Sequence, residues 1–151
     1  MDGSQDRGRR FEDGAATLLF ATAGKARLTL VSRRSGTRFT YSIERPKAQG
    51  PLFVAVLNGP SNETDYAFLG TLFGNANPLH FVHGSKSRIG SDAPSAKAFA
   101  WAWRSIGRGA LPPDCEVFHE GRCGKCGRVL TTPESVMSGI GPVCAARREA
   151  A

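Results

Sequence analysis

The chain has 151 residues, enough for one compact domain plus a small module but not for two full domains. Its 40% hydrophobic and 22% charged residues are ordinary for a globular protein and exclude wholesale disorder. Lys and Arg number 20 against 13 Asp and Glu, a formal +7, and no apolar run approaches the ~20 residues a membrane span needs.

Residues 1–13 are polar and charged and read as a flexible basic arm. Their start, Met1–Arg7, lacks the basic-then-apolar pattern of a secretory signal, so the cytoplasm is the expected compartment. An apolar run, Thr17–Phe20, follows. Residues 26–33 alternate, with Leu28 and Leu30 on one face and Arg27, Thr29 and Val31 on the other. Residues 37–43 alternate again around Phe39, Tyr41 and Ile43. Two period-2 runs joined by Arg34-Ser35-Gly36 predict a β-hairpin. Its outer face carries Arg27, Thr29, Arg33, Arg38, Thr40 and Ser42.

Leu52–Leu57 is apolar at every position and reads as a central strand buried on both faces. Tyr66–Phe73 and Leu79–His83 complete a mostly antiparallel sheet of about five strands. Pro94-Ser95 opens the one clear helix, which runs to about Ile106 and stops near Gly107 or Gly109. Ala96, Phe99, Ala100, Trp103 and Ile106 form the stripe that should pack on the sheet. Lys97, Trp101, Arg104 and Arg108 line up on the other face. Leu111-Pro112-Pro113 reads as a linker. The expected fold is α+β: residues 14–110 as a sheet with one packed helix, then residues 111–151 as a small metal-binding module.

Charge is uneven along the chain. Residues 1–47 hold ten basic against five acidic side chains, 48–120 five against six, and 121–151 five against two. Basic ends around a neutral middle favour a polyanionic partner, nucleic acid above all. The candidate contacts are Arg27, Arg33 and Arg38 on the hairpin, and Lys86 and Arg88 in a loop. Lys97, Trp101, Arg104 and Arg108 add a helix face, and Lys125 and Arg128 flank the cysteines. An ordinary solvated surface is the competing reading for each group.

The four cysteines, Cys115, Cys123, Cys126 and Cys144, all lie in the last 37 residues. Clustering with a two-residue gap points to metal rather than disulfides. Cys123-Gly124-Lys125-Cys126-Gly127-Arg128 can form a knuckle that turns both sulfurs toward one ion, with backbone N–H groups stabilising the thiolates. Seventeen residues separate Cys126 from Cys144, a span common in zinc modules. Thr132-Pro133-Glu134-Ser135 resembles a helix start, and Cys144 should sit in the first turn of a terminal helix. Either His119 or Cys115 supplies a fourth ligand for Zn²⁺. His119 is favoured because it lies four residues before Cys123 and is the module's only histidine.

The segment Cys123–Cys144 resembles a family of small zinc-ribbon-like domains found in phage, plasmid and bacterial proteins of unassigned function. The shared marks are C-x-x-C-G-R-x-L, then P-x-S, then G-I-G-P-x-C. The upstream helix, Ala93–Arg104, is similar to segments of phage-type proteins with the same ending. The resemblance implies zinc on Cys123, Cys126 and Cys144 and no established reaction.

A thiolate-rich site is a poor Lewis acid, and neither the H-x-E…P-C-x-x-C nor the H-E-x-x-H pattern is present, so a structural metal is expected. No site for a small-molecule substrate is evident. The expected function is a non-enzymatic, zinc-binding accessory protein that contacts DNA or RNA. A protein-binding inhibitor or adaptor, encoded by a mobile element and acting on a host machine, is the alternative, with exposed Trp101 as an anchor. A small nucleic-acid enzyme using His80 or His83 is a third reading. Those two histidines sit at i and i+3 and should point to opposite faces of a strand.

Overall fold

The structure, a computed structural model, describes residues 10–47, 50–61, 64–73, 79–130, 133–141 and 144–145. The polar segment 1–9 and any helix beyond residue 145 lie outside the described residues.

Six strands form one antiparallel sheet: β1 (Lys25–Ser32), β2 (Arg38–Glu44), β3 (Leu52–Leu57), β4 (Tyr66–Phe73), β5 (His80–His83) and β6 (Cys115–His119). Their order is β5-β4-β3-β2-β1-β6. The first five strands are a meander in which each neighbour follows in sequence. The expected hairpin is β1–β2, with Leu28 opposite Tyr41 and Thr29 opposite Thr40. β6 was not expected. It returns from the far end of the chain to pair with β1, Leu28 against His119 and Ser32 against Cys115. The segment after Leu111-Pro112-Pro113 therefore enters the sheet before it reaches the cysteine knuckle.

Three helices accompany the sheet: α1 (Gly14–Ala21), α2 (Pro94–Ile106) and α3 (Pro133–Ser138). α1 grows out of the Thr17–Phe20 run. The Asp13 carboxylate caps it by accepting from the Ala15 N–H at 3.2 Å. α2 keeps its predicted bounds, with Pro94 in its first turn and Gly107 at its C-cap. Its buried residues are Ala96, Phe99, Ala102, Trp103 and Ile106, while Lys97, Trp101, Arg104 and Arg108 are exposed. Ala102 thus replaces the expected Ala100 in the fully buried stripe.

The core lies on one side of the sheet. Ala26, Leu28, Leu30, Tyr41, Ile43, Val54, Val56 and Val117 share that face by register, and all are buried. Phe99 reaches down from α2 to the Tyr41 and Phe81 rings, 5.0 and 4.9 Å away between centroids. The Tyr41 hydroxyl donates to the Ser95 carbonyl at 2.6 Å, and the Trp103 indole N–H to the Leu79 carbonyl at 3.0 Å. Each buried polar tip is paired as α2 settles on the sheet.

The opposite face has no helix against it among the described residues. β3 is therefore not buried on both faces as its sequence predicts: Leu52, Val54 and Val56 are buried, while Phe53 is 40% exposed. Residues 10–13, expected within the flexible arm, belong instead to the fold. Arg10 bridges to Phe118, and Phe11 is buried with its N–H bonded to the Val117 carbonyl at 2.8 Å. Among the described residues no helix is long and apolar enough to cross a membrane.

Phe99 joins α2 to the sheet through the Tyr41 and Phe81 rings. Phe99→Ala should cost about 3–5 kcal/mol by cavity formation. Urea unfolding measures this; a loss below ~1 kcal/mol would contradict the packing described.

Candidate metal centre

The knuckle hangs from the end of β6. Arg122 and Val129 form an isolated antiparallel bridge, and Cys123 N–H donates to the Arg128 carbonyl at 2.8 Å. The Gly127 N–H returns to the Cys123 carbonyl at 2.8 Å, closing the turn that carries Cys126. Gly127 has φ +79°, a left-handed conformation that favours glycine there. The Lys25 N–H donates to the Gly124 carbonyl at 2.7 Å and fastens the knuckle to the start of β1.

Underneath sits Phe20 from α1. A Cβ on Gly124 would lie 2.6 Å from its ring, and one on Gly139 would lie 2.5 Å from it. Both positions are glycine because the ring fills the space between them. Phe20 also meets Phe11 and His119, with centroids 5.2 and 5.7 Å away, and Phe11 meets His119 at 5.3 Å. This aromatic triangle is the floor of the module.

The structure brings three thiols together. The sulfurs of Cys123, Cys126 and Cys144 lie within 4.8 Å of one another, and all four cysteines of the chain are free. Tetrahedral zinc, with Zn–S of ~2.3 Å, needs sulfurs about 3.8 Å apart, so this spacing closes onto one ion by small adjustments. Three cysteines at this spacing can hold a metal ion. Cys123 is buried, Cys144 half-buried and Cys126 exposed.

Backbone donors prepare the site. The Lys125 N–H points at the Cys123 sulfur from 3.4 Å. Burial pushes the Cys123 thiol up, but the N–H groups of Gly141, Cys126 and Lys125, with the Cys126 side chain, lower it further, to about 7. Burial pushes Cys144 up to about 11, reinforced by hydrogen bonding to, and the charge of, Cys126 and Cys123. Adjacent thiolates repel one another, and a cation that replaces their protons removes the conflict.

His119 and Cys115 do not join the group. His119 is only 2% exposed and sits on the core face of β6. Its Nδ1 accepts from the Gly121 N–H at 2.9 Å, which places the ring proton on Nε2, facing the Val136 carbonyl of α3. The favoured fourth ligand therefore spends both nitrogens on backbone and joins β6 to α3. Cys115 lies on the same strand, beside Glu116, four residues before His119, and burial raises its thiol. A cavity of about 400 Å³ opens beside Cys144 and is lined by Leu19, Thr22, Ala23, Arg45, Lys125 and Ile140. Arg45 was not singled out in the sequence; only the fold carries it to the cavity beside Cys144.

The basic residues separate into distinct surfaces. Arg27 and Arg38 stand on the open face of the sheet, with the Arg27 guanidinium 5.3 Å from the Tyr66 ring centroid. Arg33 pairs with Glu116 at 3.5 Å, and Arg34 with Asp114 at 3.0 Å. Lys86 and Arg88 are exposed in the loop after β5. Lys97, Trp101 and Arg104 occupy the outer side of α2, with Arg108 just past its C-cap, across the sheet from Arg27. Lys125 and Arg128 are exposed on the knuckle. His80 is exposed and His83 half-buried, on opposite faces of β5, and among the described residues no cluster of metal-binding side chains includes either.

The sequence profile of a family of unknown function (DUF6011) matches residues 113–149, less than half of the chain. The match spans β6, the knuckle and all three clustered cysteines. No curated protein and no solved structure matches the chain.

On chelator-treated protein the ultraviolet absorbance of thiolate should rise as pH passes through about 7, from Cys123, and not from Cys115, which burial raises. Cys123→Ser should remove that first rise and Cys115→Ser should leave it; a first rise that survives Cys123→Ser would contradict the lowered Cys123 thiol.

Proposed function

We propose that this chain is a non-enzymatic accessory protein that binds Zn²⁺ through Cys123, Cys126 and Cys144 and contacts nucleic acid through its basic surfaces. The convergence of the three sulfurs carries the metal half of this reading. Thiolate donors in a compact tetrahedral set are typical of zinc, and structural zinc sites contribute directly to folding. Here the ion would hold the knuckle to the segment around Cys144 above the Phe20 floor. Three thiolates leave one position for water or another donor. An electron-rich set of this kind polarises a substrate weakly, which supports a staple rather than a catalyst.

Unpaired cations support the nucleic-acid half. Ion pairs among the described residues engage Arg10, Arg33 and Arg34. Arg38, Lys86, Arg88, Lys97, Arg104, Arg108, Lys125 and Arg128 are all exposed and enter none of these pairs. A polyanion would neutralise them and release its counterions. The surface on α2 also favours a second reading, an adaptor that docks on a protein. Trp101 is 42% exposed there and borders a cavity shared with Phe39 and Pro113.

Two outcomes follow. Chelation of the zinc-loaded protein should lower its melting temperature by several degrees, and Cys126→Ser should abolish stoichiometric zinc binding; an unchanged Tm with zinc removed would contradict a folding role. Fluorescence anisotropy with labelled oligonucleotides should show affinity falling steeply with salt, and Arg38→Ala should reduce the log–log slope by about 1. Binding indifferent to salt would contradict the electrostatic reading.

A further inference from the structure

The open face of the sheet carries aromatic rings that folding leaves in water. Phe53 on β3 and Phe68 on β4 are 40% and 39% exposed, with centroids 6.2 Å apart in an edge-to-face pair. Phe73 and Val82 continue this surface toward the β5 edge, at 49% and 50% exposed. An exposed apolar group of this size is the informative kind of surface, since single exposed apolar residues need no explanation.

Cations and an unsatisfied polar group surround the rings. Arg27 lies over Tyr66, whose hydroxyl is buried and has no hydrogen-bond partner. The Ser87 hydroxyl donates to the Phe68 carbonyl at 2.6 Å, which fixes the loop bearing Lys86 and Arg88 beside that ring. The loop presses close: a Cβ on Gly84 would lie 2.4 Å from the Phe68 ring. Of the acidic groups near this face, Glu116 is paired with Arg33 and Arg10, Glu44 stands cross-strand from both Lys25 and Phe53, and Glu120 lines a cavity with Arg27. A second copy seated face to face would oppose like cations on a chain of net charge +7. A partner with flat rings and negative charge complements both features. In a duplex the base faces are already stacked, so the rings of a β-sheet reach only unpaired bases.

We propose that this face is a platform for single-stranded nucleic acid, with Phe53 and Phe68 stacking bases and Arg27, Arg38, Lys86 and Arg88 meeting phosphates. The proposal rests on the nucleic-acid reading above and narrows it to one strand form and one surface. The helix face carrying Lys97 and Arg104 is across the sheet and is not part of it.

The test uses the full-length, zinc-loaded chain and labelled U12, dT12 and a blunt 12-base-pair duplex. The single strands should bind more tightly than the duplex. Phe53→Ala and Phe68→Ala should each weaken single-strand binding roughly tenfold, the loss expected for one stacked base. Phe68→Trp keeps a ring at the site; its added fluorescence over wild type should be quenched by dT12 or U12, even where an alanine variant folds poorly. The DNA and RNA arms tell which strand is preferred. Wild-type binding that both alanine variants retain, with no quenching at position 68, overturns the platform and leaves the broader reading standing. No binding of any oligonucleotide at low salt overturns both. A dimer in light scattering that Phe53→Ala dissolves, without oligonucleotide binding, assigns the face to a second copy instead.

Discussion

The Phe20 ring, held between Gly124 and Gly139 and against Phe11 and His119, is the contact on which the arrangement of this protein depends. It comes from the first helix, while the glycines come from the C-terminal module. A side chain at either glycine would meet the ring, so the knuckle can sit close to α1 only with these residues. His119 closes the same assembly by bonding Gly121 and facing Val136. The thiols are thus displayed above a packed floor rather than on a free loop. Their positions are inherited from the hydrophobic core, and a bound ion would reinforce that link.

The second constraint is the sidedness of the sheet. Both α1 and α2 pack on the face of Leu28, Tyr41 and Val54, and burial there supplies the main driving force for folding. The other face is left with Thr29 and Thr40, whose hydroxyls bond each other at 2.7 Å, and with aromatic and basic side chains. An antiparallel sheet tolerates one wet face, but usually with polar side chains on it. Phe53 and Phe68 depart from that pattern and leave an apolar surface in water.

Much of this was legible in the sequence wherever a signal is local. Period-2 alternation located β1 and β2, because side-chain direction in a strand depends only on parity, and short apolar runs between turn signals located β3 to β5. Proline at the start and glycine at the end located α2. Cysteine spacing located the thiols, since a tight turn suffices to converge Cys123 and Cys126. Other features needed the third dimension. α1 shows no apolar stripe in its sequence, because its buried face includes Gly14 and Thr17 while Leu19 is left exposed. β6 pairs with a strand some ninety residues away and was read as module rather than sheet. The outward direction of Phe53 was hidden, since an apolar side chain looks the same in sequence whether it faces core or water. The role of His119 followed the same logic: proximity to cysteines suggested a ligand, while its strand parity turns it into the core.

Three thiols of one chain sharing a single ion is the central prediction. X-ray absorption at the zinc edge of the zinc-loaded protein tests this most directly. The prediction is one zinc per chain, bound by three sulfurs at about 2.3 Å and one lighter atom. A shell with two sulfurs or fewer, or protein that retains no zinc, would contradict it.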